Sequence, residues 1–385
     1  MRCSARVLSL IPSQCSSRSH PHYKPPRRNR PAGFSSVASR SPPREAAMGE
    51  SGTVIISLNE WQSWGTNTPV PAMVTEIVEE LKALEKDTEA PVRFGGLGGK
   101  LKGDFKVVED KKHRAKYETL SDSEEKLRFF SARQVACRLL GSSGYLCQKC
   151  WLPEGDCMCS RIKPCLLWPG IRFWLYMHPK DFLRQNNTGK LLWQLFGKEA
   201  ATLCIYGIAE QEEMMWNSFK LSGRSKVWCL YPNKNAPIKS VKDTFPSDSS
   251  NDHEFVPVVR NGDEVMNFIL IDGTWSNSAA MFRRLKERAE SVWGEELSCI
   301  SLTTGASTMH RLRPQPSWDR TCTAAAAIGL LTELQLLPQY RSCGLDKSAD
   351  AMDEGLESLL EALTTRRLRM GRSIRRTPKH KNDIC

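Results

Sequence analysis

The amino-acid sequence predicts an α/β protein: a mostly parallel sheet covered on both faces by helices, with a small four-cysteine knuckle attached. Three observations lead there. Between about residues 125 and 340, short apolar runs alternate with longer stretches of helical spacing, the signature of strand–helix–strand units. Asn267 to Ile271 (NFILI) reads as a strand buried on both sides. Cys147, Cys150, Cys157 and Cys159 fall within thirteen residues, close enough to share one metal ion.

The elements follow in order. Pro71 to Asp87 predicts an amphipathic helix, because Met73, Val74, Ile77, Val78, Leu81 and Leu84 form one apolar stripe; it is expected to pack on this chain's own body. Gly95 to Lys100 (GGLGGK) resembles a phosphate loop only superficially. Phe94 stands where the first glycine of that motif belongs and Leu101 replaces its Ser or Thr, so the segment is read as a flexible linker. Strands are expected at Arg172 to Met177, Ala201 to Tyr206, Lys226 to Tyr231 and Asn267 to Ile271. Helices are expected from Thr188, around Glu210 to Phe219, from about Asn277, at Thr321 to Leu336 and at Ala349 to Leu363. The polar stretch 243–254 reads as a surface insertion.

The chain carries a net charge of +12, but its location decides what that means. Residues 1–44 hold nine Arg or Lys and no acid, and residues 364–385 hold eight with one Asp. The stretch between is left at about −4, so the basic character sits in the two ends. Residues 1–47, rich in Ser, Arg and Pro, have the composition of an organellar transit peptide or of a disordered extension. Met48 is an alternative start, which would place the protein in the cytosol or nucleus rather than a plastid or mitochondrion. The myristoylation pattern that would begin at Met48 is read as chance. The basic segment 364–385 suits phosphate contact, though a solvated end or a nuclear-import signal has the same composition. No apolar run is long enough for a membrane span. Fourteen cysteines without an apolar leader point to reduced thiols and metal ligands rather than disulfides.

Four constellations carry chemistry. Cys147-x2-Cys150-x6-Cys157-x-Cys159 offers four thiolates for a closed, structural Zn²⁺ site. The alternative is free thiols, and Cys137 or Cys165 could substitute for one ligand. Asp272-Gly273-Thr274-Trp275 puts a carboxylate at the carboxyl end of a buried strand, where parallel sheets bind ligands; a helix N-cap is the plainer reading. His178 with Asn187, Thr188 and Gly189 forms a polar turn into a helix, suited to an anionic group, although a lone histidine is more often structural. Arg311 and Arg313 point the same way from an extended segment, toward a phosphate, a carboxylate or solvent.

Taken in chain order, cysteine cluster, His178 turn, Asp272 motif and Arg311 to Arg313 stretch, the four segments resemble the DTW-domain family. The name motif stands as Asp272-Gly273-Thr274-Trp275. The cysteine cluster, the His178 to Asp181 stretch with Asn187-Thr188-Gly189, and the Arg311 to Arg313 stretch with Thr321 to Ala324 match the family's other motifs. The resemblance covers about 130–340, and its Asn-Thr-Gly form is closer to the bacterial-type and second animal-type branch. It implies a fold related to the knotted SPOUT methyltransferases. It also implies an enzyme, a tRNA-uridine aminocarboxypropyltransferase, which moves 3-amino-3-carboxypropyl from S-adenosylmethionine to N3 of a uridine in tRNA. On this reading Asp272 is the base, assisted by Thr274 and Trp275. His178, Asn187, Thr188 and Gly189 line the donor pocket, and Arg311, Arg313 and the basic segment face tRNA. The catalytic domain is expected over 126–345, preceded by a linker region at 48–125 and followed by a helix at 346–363. No obligate protein partner is implied. Two other readings stay open: a SPOUT-like RNA methyltransferase, and a zinc-containing RNA-binding protein without catalysis.

Overall fold

The computed structural model describes residues 56–88, 92–95, 100–231, 239–246, 265–303 and 321–374. Five short parallel strands form its centre: β3 (Ile171–Met177), β4 (Ala201–Ile205), β5 (Val227–Leu230), β6 (Met266–Asp272) and β7 (Ser298–Ile300). They lie side by side in the order β4-β3-β6-β5-β7, and every neighbouring pair is parallel. Register is set at the centre, where Phe173 faces Phe268 and Met177 faces Asp272 across β3 and β6.

The strands are apolar on both faces because both faces are covered. Phe173, Leu175, Met177, Phe268 and Leu270 point to one side, where α5 (Lys190–Ala200), α9 (Thr323–Gln335) and α10 (Leu345–Arg369) supply Leu191, Leu195, Leu330, Leu331, Met352, Leu356 and Leu359. Trp174, Tyr176 and Ile269 point to the other, against Met215 and Phe219 of α6 (Ala209–Ser222) and Met281 and Leu285 of α8 (Trp275–Trp293). A four-residue helix, α7 (Val241–Thr244), is closed by a Ser240–Asp243 capping box.

The predicted strands and helices of this body are present, with ends shifted by a few residues. The largest departure is α10, which runs to Arg369 and so includes the first part of the segment read as a basic tail. The region read as a linker is also more structured than expected. It holds α1 (Leu58–Ser63), α2 (Ala72–Thr88), a hairpin of β1 (Arg93–Gly95) with β2 (Lys100–Lys102), and α3 (Gly103–Thr119); α4 (Ser123–Leu140) then crosses the expected domain boundary. Val74, Ile77, Val78 and Leu81 of α2 are buried against α4, the inward packing its stripe predicts. Trp61 and Trp64 are fully buried. The Gly95–Lys100 linker has antiparallel strands at its two ends, while 96–99 lie outside the described residues. So do 1–47 and most of the 243–254 insertion. No helix among the described residues is long and apolar enough to cross a membrane.

Candidate functional site at the β3/β6 switch point

The two central strands send their chains in opposite directions: β3 leads through α5 to β4 on one side, and β6 leads through α8 to β7 on the other. Their carboxyl ends are therefore a topological switch point, the place where open parallel sheets carry a ligand-binding crevice. The His178 backbone N–H donates to the Asp272 carbonyl at 2.8 Å and carries the ladder to the rim of the crevice.

Asp272 is the last residue of β6, buried to 7 % exposure. The Asn187 side-chain amide donates to its Oδ2 at 2.8 Å. Asn187 Oδ1 in turn accepts from the Lys190 backbone N–H at 3.0 Å, in the first turn of α5. A backbone N–H can only donate, so that contact fixes the amide with its oxygen toward the helix and its NH₂ toward the carboxylate. Gly189 is small for a steric reason. A Cβ there would lie 2.2 Å from Asp272 Oδ2 and 2.6 Å from Leu175 Cδ1. Thr188 Oγ1 accepts from the Ala324 backbone N–H at 3.4 Å, which ties the same turn to the start of α9.

Thr274 and Trp275 follow at the start of α8. Thr274 holds the cap position, its carbonyl accepting from the N–H groups of Asn277 and Ser278. The cap reading of Asp272 is thus corrected, because the carboxylate belongs to the strand, two residues before the cap. The Thr274 hydroxyl lies 2.9 Å from Ser276 Oγ, whereas the Asp272 carboxylate is met by Asn187. Trp275 is half-buried. Arg311 and Arg313 lie outside the described residues.

His178 is buried beside this crevice. Its ring stacks on Tyr206, centroids 6.0 Å apart, and tilts against Phe130 of α4 at 6.3 Å. Nδ1 accepts from the Lys180 N–H at 3.2 Å, so the neutral ring carries its proton on Nε2. Burial pushes its pKa down to about 4, against the pull of Asp181. Relative to an unfolded value near 6.5, the folded state favours the neutral ring. The stability this contributes is complete above about pH 6.5 and is lost as pH falls toward 4. Melting temperatures between pH 7.5 and 4.5 should fall accordingly. His178→Gln should flatten the fall, leaving the part due to His113, which burial also pushes to about 4.

A second network behind His178 had no signal in the sequence. Arg284 of α8 is paired with Glu124 of α4 and with Glu212 of α6, the latter at 2.6 Å. Glu212 also accepts from the Tyr176 hydroxyl at 2.5 Å and the Gly207 N–H at 3.1 Å. Four elements distant in sequence supply it, and no spacing rule brings them together.

The four cysteines converge as their spacing predicts. Cys147 Sγ lies 3.6 Å from Cys159 and 3.5 Å from Cys157, and Cys150 lies 3.8 Å from Cys157; all four sulfurs fall within 4.8 Å of one another. Sulfurs about 2.3 Å from a tetrahedral zinc stand roughly 3.8 Å apart, so the group fits that ion. The turn that achieves this has the Cys147 N–H on the Leu152 carbonyl at 2.8 Å and the Trp151 N–H on the Cys147 carbonyl at 2.9 Å, with Trp151 at φ 55°. The hydrogen bond from Cys159 holds the Cys150 thiol down to about 4. Cys137 sits apart in α4, its thiol pushed up to about 12 by burial. The Cys165 sulfur faces the Leu166 carbonyl.

Two buried cations link this knuckle to the crevice. Lys190, fully buried, donates from Nζ to the Gln185 carbonyl at 2.7 Å and sits over the Trp151 ring. Burial lowers its pKa to about 7, while the neighbouring cysteines act to raise it. Arg366 of α10 donates to Gln185 Oε1 and to the Tyr145 hydroxyl, and faces Asp156 between the cysteines at 3.5 Å. Arg369 adds a second contact to Asp156 at 2.6 Å. At least these two of the eight terminal cations are structural, which narrows the phosphate-binding part of that segment.

A family model described as the DTW domain matches residues 144–368, more than half of the chain. The match takes in the cysteine knuckle, His178, the Asn187–Gly189 turn and Asp272 to Trp275, and leaves α1 to α4 outside. No solved structure matches the chain.

Proposed function

The chain belongs to the DTW-domain family, and from that premise we propose that it transfers 3-amino-3-carboxypropyl from S-adenosylmethionine to N3 of a uridine in tRNA. The observation that carries the reading is the buried Asp272 carboxylate at the β3/β6 switch point, oriented by Asn187 and closely approached by Gly189. Among the residues there, Asn187, Thr188 and Gly189 would hold the donor; the missing side chain at Gly189 is what lets the Asp272 carboxylate lie against this turn. S-adenosylmethionine supplies the electrophilic chain carbon and leaves as methylthioadenosine.

The chain's own residues supply the rest. N3 of uridine is a poor nucleophile while protonated, and Asp272 takes that proton as general base. Asn187 holds the carboxylate through a hydrogen bond of fixed direction, which orients it. Neutral His178 and Tyr206 wall the adjoining side and keep water away. Orientation supplies most of the acceleration. The relation to the knotted SPOUT folds is part of the same proposal, supported by the all-parallel sheet and its central switch point.

The test is nucleoside mass spectrometry of tRNA treated with purified protein and S-adenosylmethionine. Gain of an amino-acid-bearing chain with release of methylthioadenosine is expected. Gain of a methyl group would assign a methyltransferase instead, and no gain would leave an RNA-binding protein. A chain beginning at Met48 should react at the full rate, since all the residues named here lie beyond it. A fusion of residues 1–60 that stays cytosolic would remove the transit-peptide reading. Removing 375–385, which spares the Arg366 and Arg369 contacts, should weaken tRNA binding and flatten its salt dependence without changing which uridine is modified. Unchanged affinity and salt slope would leave that segment a targeting role only.

A further inference from the structure

We propose that the β1–β2 hairpin, which lies outside the family domain, is a docking surface for the sugar–phosphate backbone of the tRNA. The inference rests on the tRNA reading above. In the hairpin Arg93 is paired directly opposite Lys102, and Phe94 opposite Leu101. Alternation puts Leu101 and Phe94 on the inner face, Leu101 buried at 6 % exposure and Phe94 packed against the core. Arg93, Lys100 and Lys102 therefore share the outer face, and all three are exposed.

Like charges directly opposite on paired strands disfavour the pairing. A folded protein normally places an acid beside them, yet among the described residues none of the three makes an ion pair or a side-chain hydrogen bond. Asp104, two residues after Lys102, makes no ion pair with them among the described residues. Three other cations of this region are paired, Lys106 with Asp110, Lys116 with Glu80 and Arg133 with Glu109, whereas the exposed Lys111, Lys112 and Arg114 of α3 are not on the hairpin. The outer face of the hairpin is thus a local concentration of positive charge on a body that is otherwise slightly acidic. Its complement is a polyanion.

The location favours the substrate as that polyanion. Leu101 and α3 pack on α4, and α4 presents Phe130 to the His178 ring. One helix therefore separates the hairpin from the crevice, a spacing a tRNA arm spans while its uridine occupies the pocket.

The experiment uses the full chain with Arg93, Lys100 and Lys102 all changed to Gln, and measures tRNA affinity across a salt series. Each lost phosphate contact removes roughly 0.7–0.9 from the slope of log K against log salt, so a fall of about 2 is expected, with affinity about tenfold or more weaker near 0.1 M salt. A short uridine-containing oligonucleotide that reaches only the Asp272 crevice should bind the variant as well as the wild type. An unchanged tRNA salt slope would overturn the proposal. Equal loss for tRNA and oligonucleotide would overturn it too, since the pocket rather than the hairpin would then be damaged. Loss of binding to phosphatidylserine vesicles with tRNA binding intact would reassign the surface to a membrane. A wild-type chain that binds no tRNA at all would remove the underlying reading as well.

Discussion

Asp272→Asn should abolish aminocarboxypropyl transfer while leaving the fold intact. The substitution is nearly isosteric, and an asparagine oxygen can still accept from the Asn187 amide that now meets Oδ2 at 2.8 Å. Helix α8 is untouched, because its cap is Thr274. The variant keeps the shape of the side chain and loses its capacity to take a proton. Loss of a general base costs about 10²–10⁴ in rate, so the variant should fall to that range in single-turnover assays while its melting temperature and donor affinity stay close to wild type. A variant that transfers at near wild-type rate would strip Asp272 of its base role. Asn187→Ala separates orientation from protonation: the carboxylate remains but loses its guide. A smaller fall in rate with a shifted pH–rate profile is expected there.

Purified protein should contain one zinc per chain, and its removal should loosen the domain. Zinc bound by four thiolates contributes directly to folding energy, and losing a ligand costs on the order of several kcal/mol. Cys157 is the position that isolates this effect. It is exposed, so Cys157→Ser sacrifices little packing, whereas Cys150 is fully buried and its replacement would disturb the interior. The loss should spread toward the crevice, because Lys190 and Arg366 tie the knuckle to the Gln185 backbone and side chain, two residues before Asn187. Elemental analysis and thermal unfolding in chelator check this. Substoichiometric zinc with an unchanged melting temperature would leave the cysteines as free thiols.

Most of the DTW domain was legible because its strands are short, apolar and bounded by polar turns, so burial on both faces leaves a continuous mark. Asp272 was legible for the same reason, as a carboxylate closing the clearest of those runs. The cysteines were legible from spacing alone. Helices α3 and α4 were not. The buried face of α4 mixes Phe129 and Val135 with Ser131, Ala132, Ala136 and Arg138, and α3 buries Glu109 beside Phe105. Such faces do not stand out as apolar stripes, because charged members are buried on them with partners distant in sequence: Arg138 on the Lys180 carbonyl at 2.8 Å and Glu109 on Arg133 at 2.7 Å. Arg366 misled in the opposite direction. In the sequence it is one of a run of cations, and only the fold shows that it faces Asp156.

The pairing of β3 with β6 also sets a schedule for synthesis. β3 emerges from the ribosome long before β6, and until then only β4 can pair with it. A nascent chain that has not passed residue 266 therefore carries the apolar run Ile171 to Met177 with one side unpaired, and open strand edges of this kind invite association with other chains. The helix that clamps the cysteine knuckle arrives later still, after residue 345. Messages interrupted between these points should yield products that depend on chaperones and are cleared quickly, while the full-length chain does not. A fragment ending near residue 260 that stayed monomeric and protease-resistant in isolation would contradict that schedule.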